Sequence, residues 1–168
     1  MKVCASAAIR RWNKMGDGAR AWLDSPVGPL SLTERDGAIV SLDWDRSGSN
    51  VAEGVLGDAV SQLKAYFAGD RQAFDLPLKP QGSEFQQKFY AALCAIPYGE
   101  TRTYGDLADA LGVSAQAIGQ ACGANPIAIL IPCHRVLAAN GLGGYSGAGG
   151  VEAKVALLKL EGAASLLI

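Results

Sequence analysis

Histidine is nearly missing from this chain: His134 is the only one among 168 residues. The four cysteines (Cys4, Cys94, Cys122 and Cys133) show no C-x-x-C spacing. A structural zinc site draws its ligands from closely spaced cysteines and histidines, so no metal is expected, and no other cofactor. Scattered thiols of this kind imply a reducing compartment, and hence a cytoplasmic protein. Long apolar runs are lacking as well. The uncharged stretch 111–134 is broken by Gly112, Gly119, Gly123, Asn125, Pro126 and Pro132. A membrane-crossing helix needs about 20 consecutive apolar residues, so no membrane partner is expected. No signal-peptide pattern is visible.

A surplus of positive charge is missing too. The net charge is −1, and only five of the 15 basic residues lie beyond position 79, with Arg102 and Arg135 the only arginines there. Any contact with nucleic acid therefore has to use helix N-termini, hydroxyls and backbone amides on the phosphates. What the chain has in plenty is apolar residues, 49 % of the total, and 21 glycines that crowd together after Gly141. That is enough to build a core for one or two small domains.

Residues 1–18 read as a variable leader. From Ala19 the pattern is a β-meander, with strands over 19–24, 30–33 and 38–44 and a hairpin signal at Asp36-Gly37. Val55, Leu56, Ala59, Val60, Leu63, Tyr66 and Phe67 then recur at helical spacing until Gly69. Residues 74–80 read as a linker. This gives an N-terminal α/β domain over 19–78 and a mostly helical domain over 79–168, an α+β chain overall.

In the second half Ser83 and Gln86 form a capping box for a helix from 84 to about 95. Thr103 caps a short helix over 104–111 that Gly112 ends, and Ser114 caps another over 115–122 that Gly123 ends. Two short helices joined through Gly112-Val113-Ser114 fit a helix-turn-helix, and equally an ordinary helical hairpin. Residues 127–131 read as a buried strand, and the last helix spans about 151–160.

Pro132-Cys133-His134-Arg135 follows that apolar run directly. A free thiol has a pKa of about 8.5 and needs a base or a helix N-terminus to react at neutral pH. Adjacent residues on a strand point to opposite faces, so a working pair at 133 and 134 requires a turn, which Pro132 would help to impose. Taken alone, the pair is better explained as a buried cysteine beside an incidental histidine.

The surroundings change that balance. Asn125-Pro126-Ile-Ala-Ile-Leu-Ile-Pro-Cys133-His-Arg-Val, then Gly141-Leu-Gly-Gly-Tyr145-Ser146-Gly, Lys154 and Leu157-Leu-Lys-Leu-Glu161-Gly162 closely resemble the O6-alkylguanine-DNA alkyltransferases, the methylated-DNA–protein-cysteine methyltransferases. Phe85-Gln-Gln and Ile96-Pro-Tyr-Gly-Glu-Thr-Arg-Thr-Tyr104-Gly match upstream.

The resemblance implies a winged-helix-like C-terminal domain and a single-turnover transfer of an alkyl group from O6-alkylguanine to Cys133, with O4-alkylthymine a second candidate substrate. It implies that His134 is the base, through a water, and that Glu161 orients it. Tyr145 would assist the departing guanine and Lys154 support the site. Asn125, Val136 and Ser146 would contact the base or tie its loop. It implies a monomer on double-stranded DNA, entered from the minor groove with the lesion flipped out, using Tyr104, Ser114, Ala115, Gln116, Ala117, Gly119 and Arg135. The small residues at 115, 117 and 119 are explained as well by helix packing. Gln116 stands where many members of the family carry an arginine. A non-enzymatic reader of alkylated bases and a Cys-His hydrolase are the competing readings. Cys133 counts against the first and the helix pair against the second.

Overall fold

The computed structural model describes residues 18–145 and 147–163, and the expected leader lies almost wholly outside them. Strands β1 (Ala19–Leu23), β2 (Leu30–Arg35) and β3 (Ala38–Asp43) form an antiparallel sheet in that order. The two-residue turn between β2 and β3 has Asp36 at φ 51° and Gly37 at φ 80°. Both centres are left-handed, the geometry that matches strand twist and that an Asp-Gly pair favours. Ala21, Leu23, Leu30, Leu32, Ile39 and Leu42 point inward, against helix α1 (Gly54–Phe67) with its buried Leu56, Ala59, Leu63 and Tyr66.

The expected linker is more than a connection. Ile39 N donates to Pro77 O and Lys79 N to Ile39 O, both at 2.8 Å, so residues 77–79 cover one part of β3's free edge. Leu42 N donates to Pro126 O at 2.9 Å, which brings the second half onto the rest of that edge. An unpaired strand edge invites unwanted pairing, and here both halves of the chain close it.

The helices of the second half are α2 (Glu84–Cys94), α3 (Tyr104–Leu111), α4 (Ala115–Gly123) and α5 (Gly150–Leu160). Ser83 with Gln86 and Thr103 with Asp106 form complete capping boxes, and Ser114 Oγ accepts from Ala117 N at 3.1 Å. Gly112, at φ 68°, supplies the left-handed residue that ends α3 and turns the chain into α4. Ala108 and Ile118 are buried between the two helices, as the spacing predicts. Two-residue strands β4 (Arg102–Thr103) and β5 (Val136–Leu137) pair in parallel beside them.

Strands β4 and β5 and the last two residues of β2 were not expected, and two further details depart from the sequence reading. Gly123 is the last residue of α4, with Ala124 as its cap, because an αR residue there still satisfies the final carbonyls. Residues 127–131 are buried as expected but form no strand; they make a turn with isolated bridges. One apolar cluster runs through both halves, from Ala21 and Tyr66 to Ile127, Cys133 and Leu157.

Candidate functional site

The segment before Cys133 is held by Asn125. Its Oδ1 accepts from Ile127 N at 3.0 Å and its Nδ2 donates to Ile131 O at 2.9 Å, so one side chain clamps both ends of the turn. Inside it, Leu130 N donates to Ala128 O at 2.9 Å around Ile129, whose φ is 72°. A β-branched residue in the left-handed region costs about 1–2 kcal/mol, which the burial of the Ile129 side chain offsets. A second three-residue turn follows: Cys133 N donates to Ile131 O at 2.8 Å around Pro132, at φ −82° and ψ 66°. The pyrrolidine ring presets that φ. The chain then makes one 3-10 turn over Cys133–Arg135, so residues 133 and 134 leave the strand geometry that would point them apart.

Glu161, just past the end of α5, collects the donors. Its Oε1 accepts from His134 Nε2 at 2.7 Å, from Tyr66 Oη at 2.7 Å and from Arg135 Nη2 at 2.9 Å; its Oε2 accepts from Arg135 Nε at 2.9 Å. Burial alone would raise this carboxyl, but the hydrogen bonds from His134 and Arg135 outweigh it and hold the group at about 2. Glu161 is therefore a permanent carboxylate.

His134 is fully buried, and burial lowers its pKa against the opposing pull of Glu161. A neutral imidazole beside a carboxylate places its proton on Nε2. That leaves Nδ1 an acceptor, and no group among the described residues takes it up.

Cys133 is also buried, and burial raises its pKa; the Asn125 hydrogen bond and the Lys154 charge only moderate this. At rest the pair is thus thiol and neutral imidazole. The thiol lines a cavity of about 280 Å³ with Tyr104, Gly119, Cys122, Gly123, Gly144 and Tyr145. A Cβ added at Gly119, Gly123 or Gly144 would meet nothing within 4 Å, so these glycines keep the cavity wide. Tyr145 Oη is buried with no partner among the described residues, and burial and nearby Cys133 raise its pKa, so it remains a donor.

Lys154 is wholly buried and donates to the carbonyls of Val136 (2.6 Å), Leu142 (2.5 Å) and Gly144 (3.0 Å). It thereby ties the loop beyond β5 to α5. Trp44, just past β3, reaches the same loop. Its ring meets that of Tyr145 edge-on at 6.2 Å, and its Nε1 donates to Val27 O at 3.1 Å. Gly147 lies between the two rings, where a Cβ would fall within 2.8 Å of Trp44 Cη2.

The structure brings Cys133, His134, Glu161, Tyr145, Lys154, Asn125, Val136 and Tyr104 into one neighbourhood. Ser146 lies outside the described residues. Ser114, Ala115, Gln116 and Gly119 are exposed on α4, with Ala117 half-buried. Arg135, expected on the DNA-facing surface, is buried instead. Its guanidinium engages Glu161, donates to Ile96 O at 2.6 Å and lies over the Tyr98 ring, because the 3-10 turn directs it inward.

Sequence reasoning missed Tyr66, Trp44 and Cys122. A tyrosine in an apolar helical stripe reads as core, and its only signal is a hydroxyl that must find a partner when buried. Cys122, pushed up to about 12 by burial and Cys133, stays protonated beside the reactive thiol. Among the described residues no three His, Cys, Asp or Glu side chains gather as a metal site, and no helix is long and apolar enough to cross a membrane.

Comparison with known proteins bears on this geometry. Residues 84–163 match the family model for the DNA-binding domain of 6-O-methylguanine DNA methyltransferase, and residues 20–80 match that for its ribonuclease-like domain. The methylated-DNA–protein-cysteine methyltransferase of Mycobacterium tuberculosis is 46 % identical over 149 residues, covering 83 % of this chain and 89 % of that protein. The Methanosarcina acetivorans protein of the same name is 42 % identical over 153 residues, covering 84 % and 97 %. The crystal structure of Mycobacterium tuberculosis OGT in complex with DNA superposes with a TM-score of 0.75 at 44 % identity, covering 85 % of this chain and 92 % of that one.

Proposed function

Because the chain belongs to the 6-O-methylguanine DNA methyltransferase family, we propose that it repairs alkylated DNA by direct reversal, moving the alkyl group from guanine O6 to Cys133. The observation that carries this reading is the free Nδ1 of His134. It sits on a ring fixed by a 2.7 Å bond to Glu161, on the residue after Cys133, whose side chain lines a cavity of about 280 Å³.

Cys133 Sγ attacks the alkyl carbon in one displacement. The S–C bond forms, the C–O6 bond breaks, and the thiol proton passes through a bridging water to Nδ1 of His134. Glu161 stabilises the imidazolium formed at that moment. The unpaired Tyr145 hydroxyl donates to the departing guanine. Lys154 acts at one remove, by holding the loop that carries Tyr145. The proposed step supplies no nucleophile to take the alkyl group back off the thioether, so each molecule acts once, and the step needs neither metal nor cofactor.

The lesion lies within a duplex, so the nucleotide is flipped out to reach the cavity, at a cost of roughly a few kcal/mol. The N-terminus of α4 and its small exposed residues enter the minor groove, and Tyr104 rotates the adjacent phosphate. Arg135 takes no part in that surface. The protein works as a monomer in the cytoplasm, where its thiols stay reduced.

Incubation with excess O6-methylguanine duplex, followed by intact mass and peptide mapping, tests the reading. The expected result is a gain of one methyl per chain on Cys133, then no further change. Cys133→Ser should abolish transfer. Repeated turnover, or a methyl on Cys122 or Cys94, would overturn it.

A further inference from the structure

The hydroxyl of Tyr66 has a role that packing does not account for. Its ring is buried against Phe67 and Phe74 at 5.2 Å and Tyr98 at 6.2 Å, contacts that a phenylalanine would make as well. The hydroxyl adds what a phenylalanine could not: it donates to Glu161 Oε1 at 2.7 Å, 95 residues away in sequence. That same oxygen holds His134 Nε2 at 2.7 Å and receives Arg135 Nη2 at 2.9 Å. A carboxylate oxygen has two lone pairs, so three donors share what two would fill.

We propose that Tyr66 is a positioning residue for alkyl transfer: its hydroxyl competes with His134 for one oxygen of Glu161, and so sets both the orientation and the basicity of the imidazole. The N-terminal half thereby contributes an atom to the proton relay. This rests on the alkyl-transfer reading for its consequence, and on the geometry alone for its effect on His134.

The direction follows from charge. A donor on Oε1 draws negative charge away from the His134 bond and makes Glu161 a weaker stabiliser of imidazolium. Removing it strengthens that stabilisation and raises the pKa of His134. The other groups around the pair are Arg135 and Cys133 from the 3-10 turn, Tyr98 and Cys94 from the end of α2 and the turn after it, and Lys154 from α5. Cys94, Cys133 and the two tyrosines are pushed up by burial, and Glu161 is held at about 2. Lys154, though lowered by burial, is hydrogen-bonded to three carbonyls as a donor. Of these groups His134, lowered by burial, is the one whose titration the Tyr66 hydroxyl bears on through Glu161.

The test is Tyr66→Phe in the full-length protein, read in two ways. His134 is the only histidine, so its imidazole nitrogen resonances can be titrated without ambiguity and without substrate. The expected result is a pKa higher by about half a unit than in the parent protein. Single-turnover methyl transfer should show an acid limb displaced upward by the same amount, hence about threefold slower below it and converging at high pH. Phe74→Leu, which disturbs the same ring cluster and leaves the hydroxyl, should lower the melting temperature with both profiles unmoved. If Tyr66→Phe does not fold, 3-fluorotyrosine at position 66, a stronger donor, decides the matter, because it should move His134 in the opposite direction. An unchanged His134 pKa, or a rate loss equal at every pH, would overturn the proposal. A parent protein that transfers no methyl would instead overturn the alkyl-transfer reading, while the nitrogen titration would still judge Tyr66.

Discussion

At the scale of single residues, the buried ionisable groups make the fold sensitive to acid. The Glu161 carboxyl lies at about 2 when folded and near its ordinary value of 4.5 when unfolded. Its contribution is therefore complete above about pH 4.5 and is lost as pH falls towards 2, amounting to roughly 3 kcal/mol across that window. The pKa of His134 is lowered by burial, so the unfolded chain takes up that proton first and stability begins to fall below about 6.5. Both losses run in the same direction. Chemical denaturation between pH 8 and 4 is expected to show stability declining from about pH 6.5 and more steeply below 4.5. His134→Gln should remove the upper part of the decline and keep the lower. A flat profile down to pH 5 in the parent protein would contradict the assignment of a neutral buried imidazole. Most of these residues were legible in advance. Cys133, His134 and Glu161 are singled out by residue type and flanking motifs, and the structure pairs His134 with Glu161. Arg135 was not legible, because an arginine next to Cys133 and His134 looks like a phosphate ligand until the 3-10 turn sends it to Glu161.

At the scale of elements, α4 is the part whose chemistry differs most from expectation for its role. Ser114 caps it, a contribution of about 1 kcal/mol, and Gln116 stands exposed in its first turn. Under the proposed base flipping, an arginine there would add a cation near phosphates and a planar group able to stack in the vacated position. Glutamine offers neutral hydrogen bonds, roughly half as strong as charge-assisted ones. Gln116→Arg should tighten duplex binding and steepen its salt dependence by about one phosphate-equivalent. It should accelerate repair in duplex DNA more than transfer from free O6-benzylguanine, which needs no extrusion. Equal acceleration of both substrates, or of neither, would remove Gln116 from the DNA interface. Helix limits were readable from caps and glycines, since Ser83, Thr103, Ser114 and Gly112 act locally. The segment 127–131 was not. Its five apolar residues have the composition of a strand, and only the Asn125 clamp and the left-handed Ile129 reveal that the chain turns back on itself.

At the scale of the whole molecule, the two halves share more than a linker. The meander, α1 and the helical half were legible because periodicity and turn chemistry are local signals. Their junction was not, since no sequence pattern links Leu42 to Pro126, Tyr66 to Glu161, or Trp44 to Tyr145. The last of these contacts has an optical consequence. Trp44 sits edge-on to a tyrosine that walls the reactive cavity, with Gly147 closely fitted between them, so the indole emission is tied to whatever fills that cavity. The chain has three tryptophans, and of the other two Trp22 lies on β1 and Trp12 outside the described residues. Methylation of Cys133 is expected to shift the emission in a single exponential phase at the rate of transfer, with no dye attached. Trp44→Phe should silence that phase while methyl transfer, followed by mass, continues. A signal that survives Trp44→Phe would mean the loop reports to another tryptophan. Where it does vanish, the protein carries its own fluorescent gauge of how much repair capacity remains unspent.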